Sequence, residues 1–278
     1  MKRGLGAASL GAATLLMTLW LSACGTGGLG AAGSFSPVTP GTLTVATAQI
    51  PDPGFWEGTP AHPTGGFEYE LARALAARFG LAHVAVRIVP FAKLVKGQLG
   101  GADLALSDIT ATSERAQHVD FSTSYLKAPP AIVVAPGTEV PDVDTAQTLR
   151  FAVQTGTTLL SALEDQIRPN GPPLVLAHQR EVLAAFHARR ANAIMLDLPV
   201  ALAYARQSPG RYAVAAQLPS DYELAAALPK GSGNLEAVNS AMRAFIADGT
   251  IEALGERWLH TSLREGQAEG VPELRTEE

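Results

Sequence analysis

The chain has 278 residues, 47% of them hydrophobic and 17% charged, with a formal net charge of −5 and a single cysteine. A length of this order suits two lobes of ordinary size or one large α/β domain. The acidic balance, with no run of basic residues beyond Lys2-Arg3 and Arg189-Arg190, argues against a nucleic-acid partner, and one cysteine excludes an internal disulfide.

Met1, Lys2 and Arg3 supply the positive start of a secretory signal, and the uncharged run from Leu5 to Leu21 supplies its apolar centre. Leu21-Ser22-Ala23-Cys24 looks like a lipobox, which predicts a signal peptide over residues 1–23 and lipidation of Cys24 as the new N-terminus. Acyl chains there give a stable membrane anchor, and a thiol that cannot pair within the chain gains a role. Removal of the signal takes away Lys2 and Arg3 and lowers the formal net charge to −7. Residues 24–40, rich in Gly, Ser, Ala and Pro, read as a flexible tether. Its Gly25-Thr26-Gly27-Gly28-Leu29-Gly30 matches a G-x-G-x-x-G pattern but lacks the preceding strand and following helix that dinucleotide binding needs.

Leu43–Thr47 alternates as a strand, and a Pro/Gly-rich loop follows. Phe67, Leu71, Ala74, Leu75 and Phe79 recur at helical spacing, with Glu68 and Glu70 in the first turn and Gly80 beyond the end. Val84–Ile88 reads as a strand, Leu94–Leu99 as a short helix and Ala102–Ser107 as a strand. The alternation restarts near Pro130, with strands at Ala131–Val134, Phe151–Val153, Leu174–Ala177 and Ala193–Leu196. Helices intervene at Thr158–Ile167 and Glu181–Arg189, and Pro199–Ala205 opens with a residue favoured early in helices. Tyr222–Leu228 is extended, and helices over Leu235–Ala247 and Ile251–Leu259 close the series. Strands separated by helices predict an α/β protein, and two such series with a returning chain suggest two hinged lobes. Residues 265–278 are polar and acidic and read as a disordered tail.

Several stretches together resemble the bacterial extracellular solute-binding proteins of family 3, the polar amino-acid-binding components of ABC transporters, over roughly residues 42–260. They are Gly66-Phe67-Glu68-Tyr69-Glu70-Leu71-Ala72, the segment Gly101-Ala102-Asp103 through Thr110-Ala111-Thr112-Ser113-Glu114-Arg115, and Val119-Asp120-Phe121-Ser122-Thr123-Ser124-Tyr125. Phe151-Ala152-Val153-Gln154-Thr155-Gly156-Thr157-Thr158, Ala191 through Asp197, Pro229-Lys230-Gly231-Ser232, Asp248-Gly249-Thr250 and Arg257-Trp258-Leu259 extend the likeness. The resemblance implies a two-lobed type II periplasmic-binding fold with a cleft between lobes joined by a two-stranded hinge. Lobe 1 would comprise 41–128 and 224–264, and lobe 2 would comprise 129–223. It further implies a monomer outside the cytoplasm that captures a small amino-acid-like solute by lobe closure and passes it to an ABC permease, with no cofactor or metal.

An amino acid presents a carboxylate and an ammonium close together, so the cleft needs fixed charges of both signs. On the family pattern Arg115 takes the carboxylate, its planar fork matching two parallel hydrogen bonds that a Lys does not reproduce. Thr110 and the backbone around Asp108 assist from lobe 1. Gln154 and Thr158 assist from lobe 2, with the N–H groups near Gly156 and Thr157 at a helix start. Asp197, at a strand end, meets the ammonium. Phe91 aligns with the aromatic that packs on ligand side chains, and Phe55 and Trp56 lie in the loop that supplies a second one. Plainer readings stand beside these: Arg115 as a helix-pairing residue, Asp197 as an N-cap before Pro199, Phe91 as core. Two positions depart from the family pattern. Ala48 stands where relatives often carry an Asp, leaving Gln49 as the nearest polar group, which disfavours Lys, Arg or His as ligand. Asp108 replaces a small residue and returns a negative charge, and Lys93 and Lys96 read as solvated surface. Together these lean towards a polar or acidic amino acid.

A cleft enzyme of the same fold is one alternative, but no G-x-S-x-G, no H-E-x-x-H and no second cysteine is present. Of six scattered histidines only His118, near Arg115, is placed to serve as a general acid or base. An extracellular sensor domain is another alternative, normally tied to a signalling module by a membrane helix. The expectation is a lipid-tethered carrier with no catalytic residues.

Overall fold

The computed structural model describes residues 34–260 and 270–274. The expected signal peptide and Cys24 lie outside the described residues. Among the described residues no helix is long and apolar enough to cross a membrane.

Two five-stranded sheets form the framework, and they are built alike. The first runs in the order His83–Ile88, Thr42–Thr47, Leu104–Ala105, Ala227–Pro229, Val119–Phe121. The second runs Leu174–Leu176, Phe151–Gln154, Ala193–Asp197, Pro130–Val134, Ala213–Gln217. In each, three parallel strands are followed by an antiparallel one that arrives from the other lobe: Ala227–Pro229 in the first sheet and Pro130–Val134 in the second. The crossings themselves pair, Leu126–Lys127 antiparallel to Glu223–Leu224, and make the hinge.

Burial explains why the strands read as apolar runs. Leu43, Val45 and Ala46 in one sheet and Ile132, Val133, Ala193 and Ile194 in the other are fully enclosed, because helices cover both faces of such sheets. Each large aliphatic among them contributes about 1.5–3 kcal/mol of transfer free energy. The helix Phe67–Arg78 buries Phe67, Leu71 and Leu75 at the predicted spacing. The expected helix over Leu94–Leu99 lies earlier, at Phe91–Leu94. Pro90 presets its start, and Gly97, Gly100 and Gly101, all at positive φ, end it.

Two terminal expectations need correction. The tether over 24–40 is docked at its end. The Phe35 ring stacks on Phe79 at 4.3 Å, Ser36 exchanges hydrogen bonds with Asn234, and the Val38 N–H donates to Asp103 at 2.6 Å. The tail over 265–278 is likewise ordered at 270–274. Gln217 donates to the Pro272 carbonyl and accepts from the Leu274 N–H, both at 2.9 Å, and Leu274 is buried in the second core. In both cases one apolar side chain finds a pocket and backbone groups find partners, which composition alone does not reveal.

Candidate functional site

The carboxyl ends of the parallel strands in both sheets point at one another across the cleft, where open α/β sheets place their ligands. Between them lies a cavity of about 50 Å³. That is room for roughly three or four waters. Phe91, Asp108, Thr110 and Arg115 line it from the first lobe, and Gln154, Thr158 and Asp197 line it from the second. Trp56 does not. It is fully buried in the first lobe, its Nε1–H donating to Glu68 Oε2 at 2.8 Å, and Phe55 beside it is equally enclosed. The loop turns inward because Asp52 and Trp56 bond to each other through their backbones, carrying both aromatics under the sheet.

Arg115 opens a short 3-10 turn, Arg115–Gln117, and its side chain is drawn back into the cleft. Nη1 donates to the Thr110 carbonyl at 2.8 Å in its own lobe, and Nη2 donates to the Gly156 carbonyl at 3.0 Å in the other. The Phe91 ring supports the guanidinium from one face at 5.4 Å. Gly156 thus contributes its carbonyl to the arginine. Burial lowers the Arg115 pKa from its ordinary value, opposed by the charge of Asp197, yet a guanidinium remains charged in any such setting. With two N–H groups engaged, the rest of its five donors remain for a ligand anion.

Asp197 ends the strand Ala193–Asp197 and stands at the N-cap position of the helix Leu198–Gln207, but its carboxylate makes no cap hydrogen bond. Among the described residues no donor reaches its buried Oδ1. Burial pushes its carboxyl up to about 7, against the pull of Arg115. Asp108, at φ 50, occupies the left-handed region that Asp tolerates better than most residues. Its N–H donates to Glu68 Oε1 at 2.9 Å, and its enclosed Oδ1 likewise meets no donor.

Two groups escaped the sequence reading. Asp52 is 5% exposed, lines the cavity and accepts from Gln49 at 3.2 Å and from Gln179, across the cleft, at 3.3 Å. The carboxylate missed at Ala48 therefore returns four residues later, within the Pro/Gly-rich loop, where no periodic signal fixed a register. Glu68, expected to be a favourable charge on a helix start, is completely buried behind the cavity. It accepts from Trp56 Nε1, the Asp108 N–H and, at 2.6 Å, the Tyr125 hydroxyl. Burial raises Asp52 and Asp108, takes Glu68 to about 7, and the carboxyls repel one another. In this cavity one guanidinium, that of Arg115, faces three carboxyl groups, those of Asp52, Asp108 and Asp197. His118 is exposed at the outer mouth of the cleft with Lys96, away from the inner cavity, and Lys93 is exposed.

The lobes stand closed. Besides the Arg115 and Gln179 bridges, Thr110 Oγ1 and Thr158 Oγ1 are 3.3 Å apart, and Gln207 Nε2 donates to Glu57 Oε1 at 2.6 Å.

The sequence profile of the bacterial extracellular solute-binding proteins, family 3, matches residues 43–261. The chain belongs to that family. The L-cystine-binding protein TcyJ of Escherichia coli (strain K12) is 28% identical over 222 residues, spanning 78% of this chain and 82% of the relative. An ancestral arginine-binding protein bound to glutamine superposes with a TM-score of 0.70 at 28% identity, covering 79% of this chain and 98% of that one. The ancestral amino acid-binding protein AncCDT-1, a precursor of cyclohexadienyl dehydratase, gives a TM-score of 0.69 at 28% identity, covering 79% and 96%. The type II periplasmic-binding architecture follows, with one lobe around each sheet.

Proposed function

We propose that this protein captures a free α-amino acid outside the cytoplasmic membrane by closing its two lobes, and delivers it to the permease of an ABC importer. The observation that carries the reading is the opposition, across one cavity, of Arg115 from one lobe and, from the other, Asp197, whose buried Oδ1 meets no donor among the described residues. The ligand carboxylate takes the remaining Arg115 donors, with the Thr110 and Thr158 hydroxyls beside it. The ammonium takes Asp197 Oδ1. Gln154 is a wall, since its amide already donates to the Ala177 carbonyl at 3.2 Å. Each net hydrogen bond to a charged group contributes about 1.5–3 kcal/mol. Four of them, less ordering costs, reach the roughly −8 kcal/mol of micromolar affinity. The names of the relatives, which bind cystine, arginine and glutamine, support an α-amino acid as the ligand class. Lipid attachment at Cys24 would keep the carrier beside its permease.

The test is a thermal-shift screen of the full-length protein in detergent against the common amino acids. A concentration-dependent rise in Tm, abolished in Arg115→Ala, supports capture; no response to any α-amino acid sinks it. Catalysis is the second reading, favoured only by the likeness to a dehydratase precursor. Recovery of the bound amino acid unchanged after prolonged incubation supports the carrier, and its conversion supports the enzyme.

A further inference from the structure

We propose that the ligand carries a second cationic group besides its α-ammonium, and that the paired carboxyls of Asp52 and Asp108 hold it. The inference rests on the placement of the α-carboxylate and α-ammonium on Arg115 and Asp197. It starts from a charge imbalance. Asp52 and Asp108 line the same cavity, and burial raises both carboxyls while the charge of Asp52 raises Asp108 further, so the two together count as a single negative charge. Asp197 adds a second negative charge when ionised, and Arg115 returns one positive charge. A zwitterion, which is neutral, leaves that enclosed site one charge negative. A ligand with two cationic groups and one carboxylate brings it to neutrality. An uncompensated charge out of water is costly, so the second ligand discriminates itself from the first by chemistry the cavity already holds.

The donors point the same way. Among the described residues the side-chain hydrogen bonds to Asp52 come from the amides of Gln49 and Gln179, at 3.2 and 3.3 Å, both long for hydrogen bonds to a carboxylate. Among the described residues no donor reaches the buried Asp108 Oδ1, and Asp108 lines the cavity. Asp108 holds this position in left-handed backbone, with its own N–H fixed on Glu68. Backbone strain and an unsatisfied acceptor in one residue belong to a site that completes its bonding with something from outside the chain. A guanidinium or an ammonium supplies N–H groups and the missing positive charge together. A neutral amide supplies donors without charge, and a carboxylate supplies neither.

The test is calorimetric titration of the full-length protein in detergent with four probes: L-arginine and L-lysine, and their neutral near-isosteres L-citrulline and L-norleucine. Each cation is expected to bind at least about tenfold tighter than its neutral counterpart, the margin of one hydrogen-bonded charge. In Asp52→Asn that margin should shrink to within about threefold. Asp108→Asn, which left-handed backbone accommodates, should do the same and serves if the first variant does not fold. Neutral probes that bind as tightly as the cations, and lose binding in Arg115→Ala, overturn this inference while leaving amino-acid capture intact. A cation preference that survives both Asn variants also overturns it. No binding by any of the four overturns this inference, and the thermal-shift screen against all the common amino acids then decides capture itself.

Discussion

Without ligand, the protein should be more stable near pH 5.5 than near pH 7.5. Asp197 and Glu68 are raised to about 7 in the folded state, from ordinary values of 3.8 and 4.5, chiefly because burial disfavours their charged forms. Between those limits the folded chain binds more protons than the unfolded chain, so unfolding free energy falls as pH rises through the window. Taken in full, the shifts correspond to roughly 4 and 3 kcal/mol. Asp52 and Asp108 are raised by burial too and push in the same direction. Asp120, Asp142 and Asp248 oppose them, held low by hydrogen bonds from Lys230, Thr145 and Thr250, but their contribution is lost only below their ordinary 3.8, outside this window. Because the buried carboxyls also compete with one another, a net gain of about 2–4 kcal/mol over two pH units is the expectation, or roughly 5–10 °C in Tm for a fold of this size. Scanning calorimetry at constant ionic strength reads it directly. The variant Asp197→Asn removes one of the four groups, so its Tm near pH 7.5 should rise, its pH slope should flatten, and its amino-acid binding should be lost. A wild-type Tm that stays level or drops on acidification refutes the reasoning.

Three further outcomes follow from particular contacts. Arg115→Lys keeps the charge but loses the fork that joins Thr110 and Gly156, so amino-acid affinity measured by titration should fall at least about tenfold; an unchanged Kd refutes the bidentate role. Gly66→Ala should cost about 3 kcal/mol or more in denaturant unfolding, because Gly66 sits at φ 111 and a Cβ there would meet the Phe55 carbonyl. Full stability in that variant would mean the loop carrying Asp52 can move aside. Leu274→Ala should lower stability by about 2 kcal/mol through the cavity left in the second core, and a loss of less than a few tenths would show that the docked segment is not coupled to it.

The α/β alternation, the order of the strands along the chain and the residues at their ends were legible in the sequence, since burial of a parallel sheet demands apolar runs and a strand end leads to the cleft by topology. Asp197 stands at such an end, while Thr110 and Arg115 were picked out by the resemblance of their segment to the family pattern. Loops carry no such period. The segment after the first strand holds Asp52, Phe55 and Trp56 in a polar, Pro/Gly-rich stretch, and only tertiary packing decided that the two aromatics go under the sheet while the carboxylate faces the cavity. The docking of Phe35 and Leu274 on distant partners was equally beyond local sequence. The electrostatics were decided last. Asp52, Glu68, Asp108 and Asp197 are separated by up to 145 positions in the chain, and nothing local marks the four as one buried cluster. Only the fold brings them out of water and against a single guanidinium, where desolvation and mutual repulsion give the cleft its character.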